Sequence, residues 1–227
     1  MTQLPAYFLP QPPVNEDEAT LVLFDQLYEE TRAQGEGAAI HYSLAAPKWQ
    51  FLCYLCNRHH FVLHGSGRAD ITEFEPRKAN DVTEFGDRCA VYASSDGIWA
   101  MYFAIVNRDN SVTSLINACF QVVERTGKSE SYYFFSINED AFAHTPWREG
   151  TIYLLPGDSF TQQPRQHYQG NEIEIAQWAS PIPVKPLAKL RVTPEDFPFL
   201  PQILSHDPLT LSERAIADPD AFPWLEK

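Results

Sequence analysis

Between Arg58 and Arg77 the chain reads RHHFVLHGSGRADITEFEPR, with three histidines, two glycines and a serine set around a short apolar run. Histidine binds metals, exchanges protons near neutral pH and hydrogen-bonds ligands. Three chemistries therefore have to be weighed for this stretch. A zinc site is the first, because Cys53-x2-Cys56-x2-His59-His60 and His64 gather ligand types in one region. Both cysteines, however, fall on the apolar stripe of a predicted helix, where they act as small core residues. Cys89 and Cys119 stand alone and supply no second pair, so no metal site is assigned. Nucleophilic catalysis is the second. The chain holds no G-x-S-x-G, no P-loop and no G-x-G-x-x-G. Ser66 follows His64 too closely on one strand to form a nucleophile–base pair by default. A cysteine nucleophile wants an electropositive, partly open setting that these apolar positions do not offer.

The third chemistry is ligand recognition by His64-Gly65-Ser66. A glycine beside the histidine allows close approach of a ligand to the backbone. A long charged loop follows, and then VYASSDGIWAMYFA places Tyr92 at the end of another strand. Two strand ends presenting His64 and Tyr92, joined by a mobile loop, outline a cleft. Each residue also has an ordinary structural reading: His64 as a hydrogen-bonded strand end, Tyr92 as a core aromatic. Arg77 and Arg88 are candidates for a pyrophosphate, since arginine grips such groups bidentately. On an acidic chain they pair equally well with carboxylates. Asp96 reads as a helix-start charge. In HTPWREG, His144, Trp147 and Arg148 form a turn with Trp147 packed.

These residues must be positioned by short elements. Residues 1–15 carry four prolines and read as an extended arm. NEDEATLVLFDQLYEETRAQG predicts a helix with an acidic first turn, Arg32 in the last turn and Gly35 as the stop. Leu23, Leu27 and Phe24 supply its apolar face. APKWQFLCYLCNR predicts a second helix whose stripe is Trp49, Leu52, Cys53 and Cys56. FVLH is a short buried strand, residues 66–88 a long polar loop of the functional kind, and RCAVYAS a strand. SDGIWAMYFAIVNR is a helix capped by Ser94 or Ser95, with Ile98, Met101, Tyr102 and Ile105 as its stripe. SYYFFSIN, GTIYLLP, NEIEIAQWAS and PLAKLRVTPEDFP read as later strands. The fold class is α+β, with helices early and antiparallel strands late.

Composition bounds the function. The chain has 227 residues, 44% hydrophobic and 21% charged, which suits one large domain with a packed core. A net charge of −13 argues against a nucleic-acid partner, which needs a basic footprint. A small anionic ligand stays compatible, because local N–H groups and arginines act against the overall sign. No basic segment precedes an apolar one at the N-terminus, so no signal peptide is expected. No apolar run has membrane-spanning length. Four irregularly spaced cysteines fit reduced thiols and a cytoplasmic location.

The pieces VLHGS, VYASSDGIWAMYFA and QWASPIPVKPLAKL together resemble the ADP-ribosyltransferase-like fold over about residues 60–192, closest to bacterial members without an assigned function. The resemblance implies a split antiparallel sheet with a His–Tyr–Glu set on three strands. It implies residues 1–45 as an arm and helix packed on the domain, 46–193 as the domain, and 194–227 as a Pro-rich extension. NAD is the implied substrate or ligand. His64 would bond the ribose beside nicotinamide, Gly65 the nicotinamide amide, and Ser66 the ribose or the strand turn. Tyr92 would stack on the nicotinamide ring, with Tyr102 or Phe103 closing the other face. The third position is Gln177, where the family has glutamate. A neutral amide stabilises an oxocarbenium-like transition state far less than a carboxylate. Glu172 and Glu174 fall on the opposite face of a regular strand. The expectation is thus an NAD-binding protein: a weak mono-ADP-ribosyltransferase acting on a protein or small-molecule acceptor, or an NAD glycohydrolase. The alternative is an inactive protein of this fold serving as a binding or structural module. Convergence of His64, Tyr92 and Gln177 on one open pocket would favour the first. Filling of that space by the arm or Trp99 would favour the second.

Overall fold

The computed structural model describes residues 4–79 and 84–225. Helix α1 (Glu18–Arg32) starts where the Asp17 carboxylate accepts the Thr20 N–H at 2.9 Å, satisfying one of the free first-turn donors. Its buried residues are Phe24, Leu27 and Thr31, whereas Leu23 is 45% exposed. The apolar face is therefore rotated from the expected one. Helix α2 (Lys48–His59) ends at His60, which adopts a left-handed cap. Helix α3 (Gly97–Ile105) is buried almost throughout. Its cap is Asp96, and not the serines: Asp96 Oδ1 accepts the Trp99 N–H at 2.8 Å, while Ser94 Oγ accepts the Asp96 N–H at 2.9 Å. Helix α4 (Pro208–Ala217) lies in the C-terminal segment that the sequence reading takes as a Pro-rich extension.

The strands in chain order are β1 (Leu9–Pro10), β2 (Ala38–Ala39), β3 (Phe61–Ser66), β4 (Arg77–Lys78) and β5 (Cys89–Ser94). Then come β6 (Leu115–Glu124), β7 (Gly127–Asn138), β8 (Gly150–Pro156), β9 (Thr161–Gln162) and β10 (Gln166–Tyr168). Last are β11 (Asn171–Ile175), β12 (Gln177–Ser180), β13 (Ala188–Val192) and β14 (Leu204–His206). They form two sheets among the described residues. The first runs β1-β7-β6-β11-β10, with β14 beside β7. The second runs β2-β13-β8-β3-β5-β12-β9, with β4 beside β5. Strand β11 pairs with β6 and β12 with β5, so the continuous run Asn171–Ser180 serves both sheets, changing over at Ala176.

The main core lies between the sheets. Tyr133, Phe135 and Ile137 of the first sheet and Leu63, Ile152 and Leu154 of the second enclose α3 and the buried side of α2. Strand alternation sends the neighbouring residues outward. Phe120, Phe134 and Ile173 thus meet the arm residue Phe8 on the outer face of the first sheet, with the C-terminal Phe222 and Trp224 packed against them. Val62, Val91 and Tyr153 meet Phe74 and Val184 on the outer face of the second. No helix of the described residues is long and apolar enough to cross a membrane.

Candidate functional site

His64, Tyr92 and Gln177 lie on β3, β5 and β12, three neighbouring strands of the second sheet. The central feature is how little β3 and β5 touch. β3 pairs with β8 along its whole length, from Phe61 to Ser66, but with β5 only through Leu63 and Ser94. The direction of the free backbone groups follows from the ladder. The Lys189 carbonyl of β13 points away from β8, where it accepts the Ile40 N–H at 2.8 Å. Alternation then turns the backbone of Leu154 toward β13 and leaves Leu63 and Leu154 a pair without mutual bonds. Leu63, and with it Gly65, therefore directs its N–H and C=O toward β5. The same parity holds from the other side. The Gln177 carbonyl points away from β5, accepting the Gln163 N–H at 2.9 Å, so Ser94 and Tyr92 direct theirs toward β3.

In an unbroken sheet the Tyr92 carbonyl would meet the Gly65 N–H. Here it meets the His64 side chain, whose Nδ1 lies 2.7 Å away. A carbonyl only accepts, so Nδ1 carries the proton and Nε2 keeps its lone pair in the neutral ring. Burial lowers the His64 pKa, opposed by the Tyr92 bond and assisted by the charge of Arg77, which keeps the ring neutral at pH 7. No described residue bonds to His64 Nε2. The imidazole thus replaces a ladder bond, and Gly65 faces the opening with one donor and one acceptor.

Gly65 is also fixed from below. A Cβ there would lie 2.0 Å from the Ala100 carbonyl oxygen and 2.8 Å from the Ala104 nitrogen. The glycine is needed for close packing of α3, in addition to any ligand approach. Ser66 Oγ accepts the Arg68 N–H at 3.2 Å and shapes the turn out of β3. A Cβ on Gly67 would lie 2.0 Å from Arg148 Cζ, so that guanidinium lies against the turn while it pairs with Asp109.

The three side chains do not share a face. His64 follows Val62 on the outer face, where its ring centroid is 4.5 Å from that of Phe74. Tyr92 and Gln177 lie on the inner face, in register with Ala179 and Ser94. Tyr92 packs with Phe85, Ala90 and Ala179. Its hydroxyl donates to the Phe85 carbonyl at 2.9 Å and accepts the Arg88 N–H at 2.7 Å. The Gln177 amide makes no hydrogen bond to a described residue. Neither the described arm residues nor Trp99 fills the opening: Leu4, Tyr7 and Phe8 pack on the first sheet, and Trp99 Nε1 donates to Asn117 Oδ1 of that sheet at 2.6 Å.

Other candidates are committed elsewhere. Tyr102 is fully buried, packs on Phe135 at 4.7 Å and donates its hydroxyl to the Ser136 carbonyl, so it has no ring face for a ligand. Its assignment to the nicotinamide pocket is corrected to a core role. Phe103 is half-buried against Trp99 and Tyr102. Glu174 sits in the first sheet among Lys128, Gln162 and Arg165. Burial pushes its pKa up, but hydrogen bonds from these groups outweigh that and hold it below the ordinary range. Glu172 pairs with Arg165. The guanidinium of Arg88 lies 4.8 Å over the Phe85 ring, and Arg77 is exposed on β4. Cys53 and Cys56 lie on α2, and burial pushes both thiols up.

Two buried polar networks were not anticipated. Asp96 Oδ2 accepts the Tyr133 hydroxyl at 2.7 Å, yet burial still raises its pKa. His206 lies between Ser136 Oγ at 2.7 Å and Ser114 Oγ at 2.9 Å, fastening β14 to the first sheet. Asp96 was visible as a helix-start charge; its long-range partner Tyr133 carries no local signal. Comparison of the chain with protein-family models, curated proteins and solved structures gives no match. The α+β class of the fold and the opening between β3 and β5 therefore stand on the geometry alone.

Proposed function

We propose that the opening between β3 and β5 binds NAD or an ADP-ribose-like ligand through its nicotinamide and ribose end. The observation that carries this reading is the outward pair on Gly65, one N–H and one C=O, beside a neutral histidine with a free Nε2. A carboxamide needs one acceptor and one donor side by side, and a backbone residue at a sheet edge supplies both. His64 Nε2 accepts a ribose hydroxyl. Tyr92 fixes the carbonyl that orients His64, and its ring borders the opening from the inner face. Gln177 is the chemical weak point: its neutral amide bonds a hydroxyl but gives little stabilisation to developing positive charge. Turnover by transfer or hydrolysis is accordingly slow, and binding is the primary activity.

Calorimetry with NAD, and with nicotinamide alone, tests the reading. Saturable binding of both supports it; no heat at millimolar concentration of either, in the natural chain and in Phe74→Ala, sinks it. Gln177→Glu sharpens the test, because a carboxylate there should raise release of nicotinamide from NAD by water. The rival reading is a binding or structural module of the same class without ligand chemistry. The opposite sheet faces taken by His64 and by Tyr92 and Gln177, Tyr102 in the core and the neutral Gln177 favour it. An unchanged hydrolysis rate in a Gln177→Glu variant shown to bind NAD would select it.

A further inference from the structure

The segment Gly67–Lys78 between β3 and β5 is laid across the outer face of the second sheet. The Tyr153 hydroxyl accepts the Ile71 N–H at 3.1 Å and donates to the Arg68 carbonyl at 2.9 Å. Lys189 Nζ donates to the Ala69 carbonyl at 2.8 Å. Phe74 and Val184 exchange both backbone bonds, at 2.8 and 2.9 Å. Arg77 and Lys78 then pair with Ala90 and Cys89 of β5. Around Phe74 the chain is thin: Thr72, Glu73 and Glu75 are exposed, and Phe74 alone is buried. Its ring rests on His64 at 4.5 Å and on Tyr153 at 5.1 Å.

We propose that this strap is a built-in lid and Phe74 its stopper. In the closed state Phe74 occupies the outer ring face of His64, and a ligand enters only when the strap lifts from Val184. The inference rests on the reading of the β3–β5 opening as a ligand site. It adds that the site is self-occupied and that its affinity is set by the fraction of lifted straps. A protein with a small competent fraction shows an apparent dissociation constant raised by the inverse of that fraction.

A reversible lock tests the lid without touching Phe74. Glu73 and Lys185 are the chain neighbours of Phe74 and Val184 on facing sides of this isolated antiparallel bridge, and both are exposed. Positions flanking a bonded antiparallel pair come close enough for a disulfide to be tried. The variant is Glu73→Cys with Lys185→Cys in a Cys89→Ser background, since Cys89 is the exposed thiol among the described residues. Binding of nicotinamide and of NAD is measured by calorimetry on the oxidised and reduced full chain. The expected result is binding weakened about tenfold or more on oxidation and restored by reductant. Phe74→Ala should bind about tenfold more tightly than the natural chain. Equal binding by the oxidised and reduced forms overturns the lid and leaves the site standing. Absence of binding to the natural chain, to Phe74→Ala and to the reduced pair overturns the site and the lid together. If Phe74→Ala does not fold, the locked pair decides alone.

Discussion

The hairpin β6–β7 and the junction β3–β5 are both antiparallel pairings within sheets, but they are built differently. In the hairpin the register runs from Leu115↔Ile137 to Glu124↔Gly127, interrupted only by a bulge near Gln121. Side chains pack on both faces and the backbone bonds are consumed by the partner strand. At the β3–β5 junction a single pair is made, and a side chain takes the place of the next backbone donor. Pairing carried to completion makes scaffold. Pairing stopped after one residue leaves oriented backbone groups, which is what recognition of an amide needs. The glycine at the stopping point is required by packing, because α3 approaches it too closely for any side chain, and on the proposed reading it serves recognition as well.

This contrast can be broken at defined points. Gly65→Ala should have the largest effect: its Cβ meets backbone atoms of α3, which cannot yield as a side chain can. A loss of about 3 kcal/mol or more is expected in denaturant unfolding. On the scaffold side, the buried Asn138 accepts the Thr113 and Ser114 N–H groups and donates to the Ser111 carbonyl. Asn138→Ala should cost about 2 kcal/mol by stranding those groups, with no change in ligand binding. Tyr92→Phe removes the hydroxyl that ties Phe85 to Arg88 and should cost about 1 kcal/mol. The smallest effect concerns pH. Burial lowers the folded-state pKa of His64, so the folded chain binds its proton less readily than the unfolded chain. Its contribution to stability is full above the ordinary histidine value of about 6.5 and is lost as pH falls through the folded value. Nuclear magnetic resonance titration of the imidazole should give a midpoint below that ordinary value. His206 shifts in the same direction through burial, so the two rings must be followed separately.

Much of the fold was legible in local pattern. The stripe of α2, the strand around His64 and the helix after Tyr92 follow from periodicity and turn residues, whereas the grouping of Gln177 with His64 and Tyr92 came from the resemblance alone. What could not be read depends on tertiary contact. The rotation of α1 is set by what it packs against, which leaves Leu23 exposed and buries Thr31. The resemblance offered Tyr102 as a second aromatic for the ring pocket, but its place on the apolar stripe of α3 commits it to the core against Phe135 of the first sheet. Strand β6 was missed because LINACFQVVE mixes polar and apolar residues on a strand that faces two different cores. Helix α4 is short and none of its side chains is fully buried, and in the sequence it lies within the Pro-rich C-terminal extension. The opposite faces of His64 and Tyr92 follow from a register that no local signal specifies, and so does the seating of Phe74.

The central claim is that Gly65 and His64 form a ligand-binding edge where pairing stops. It is tested most directly by recording backbone amide resonances of the full chain while nicotinamide, and then NAD, is added. The account predicts a saturable shift of the Gly65 amide and of the His64 ring, with the amides of Gly127–Asn138 unmoved. A Gly65 resonance that stays fixed at millimolar concentrations of both, in the natural chain and in Phe74→Ala, would contradict it.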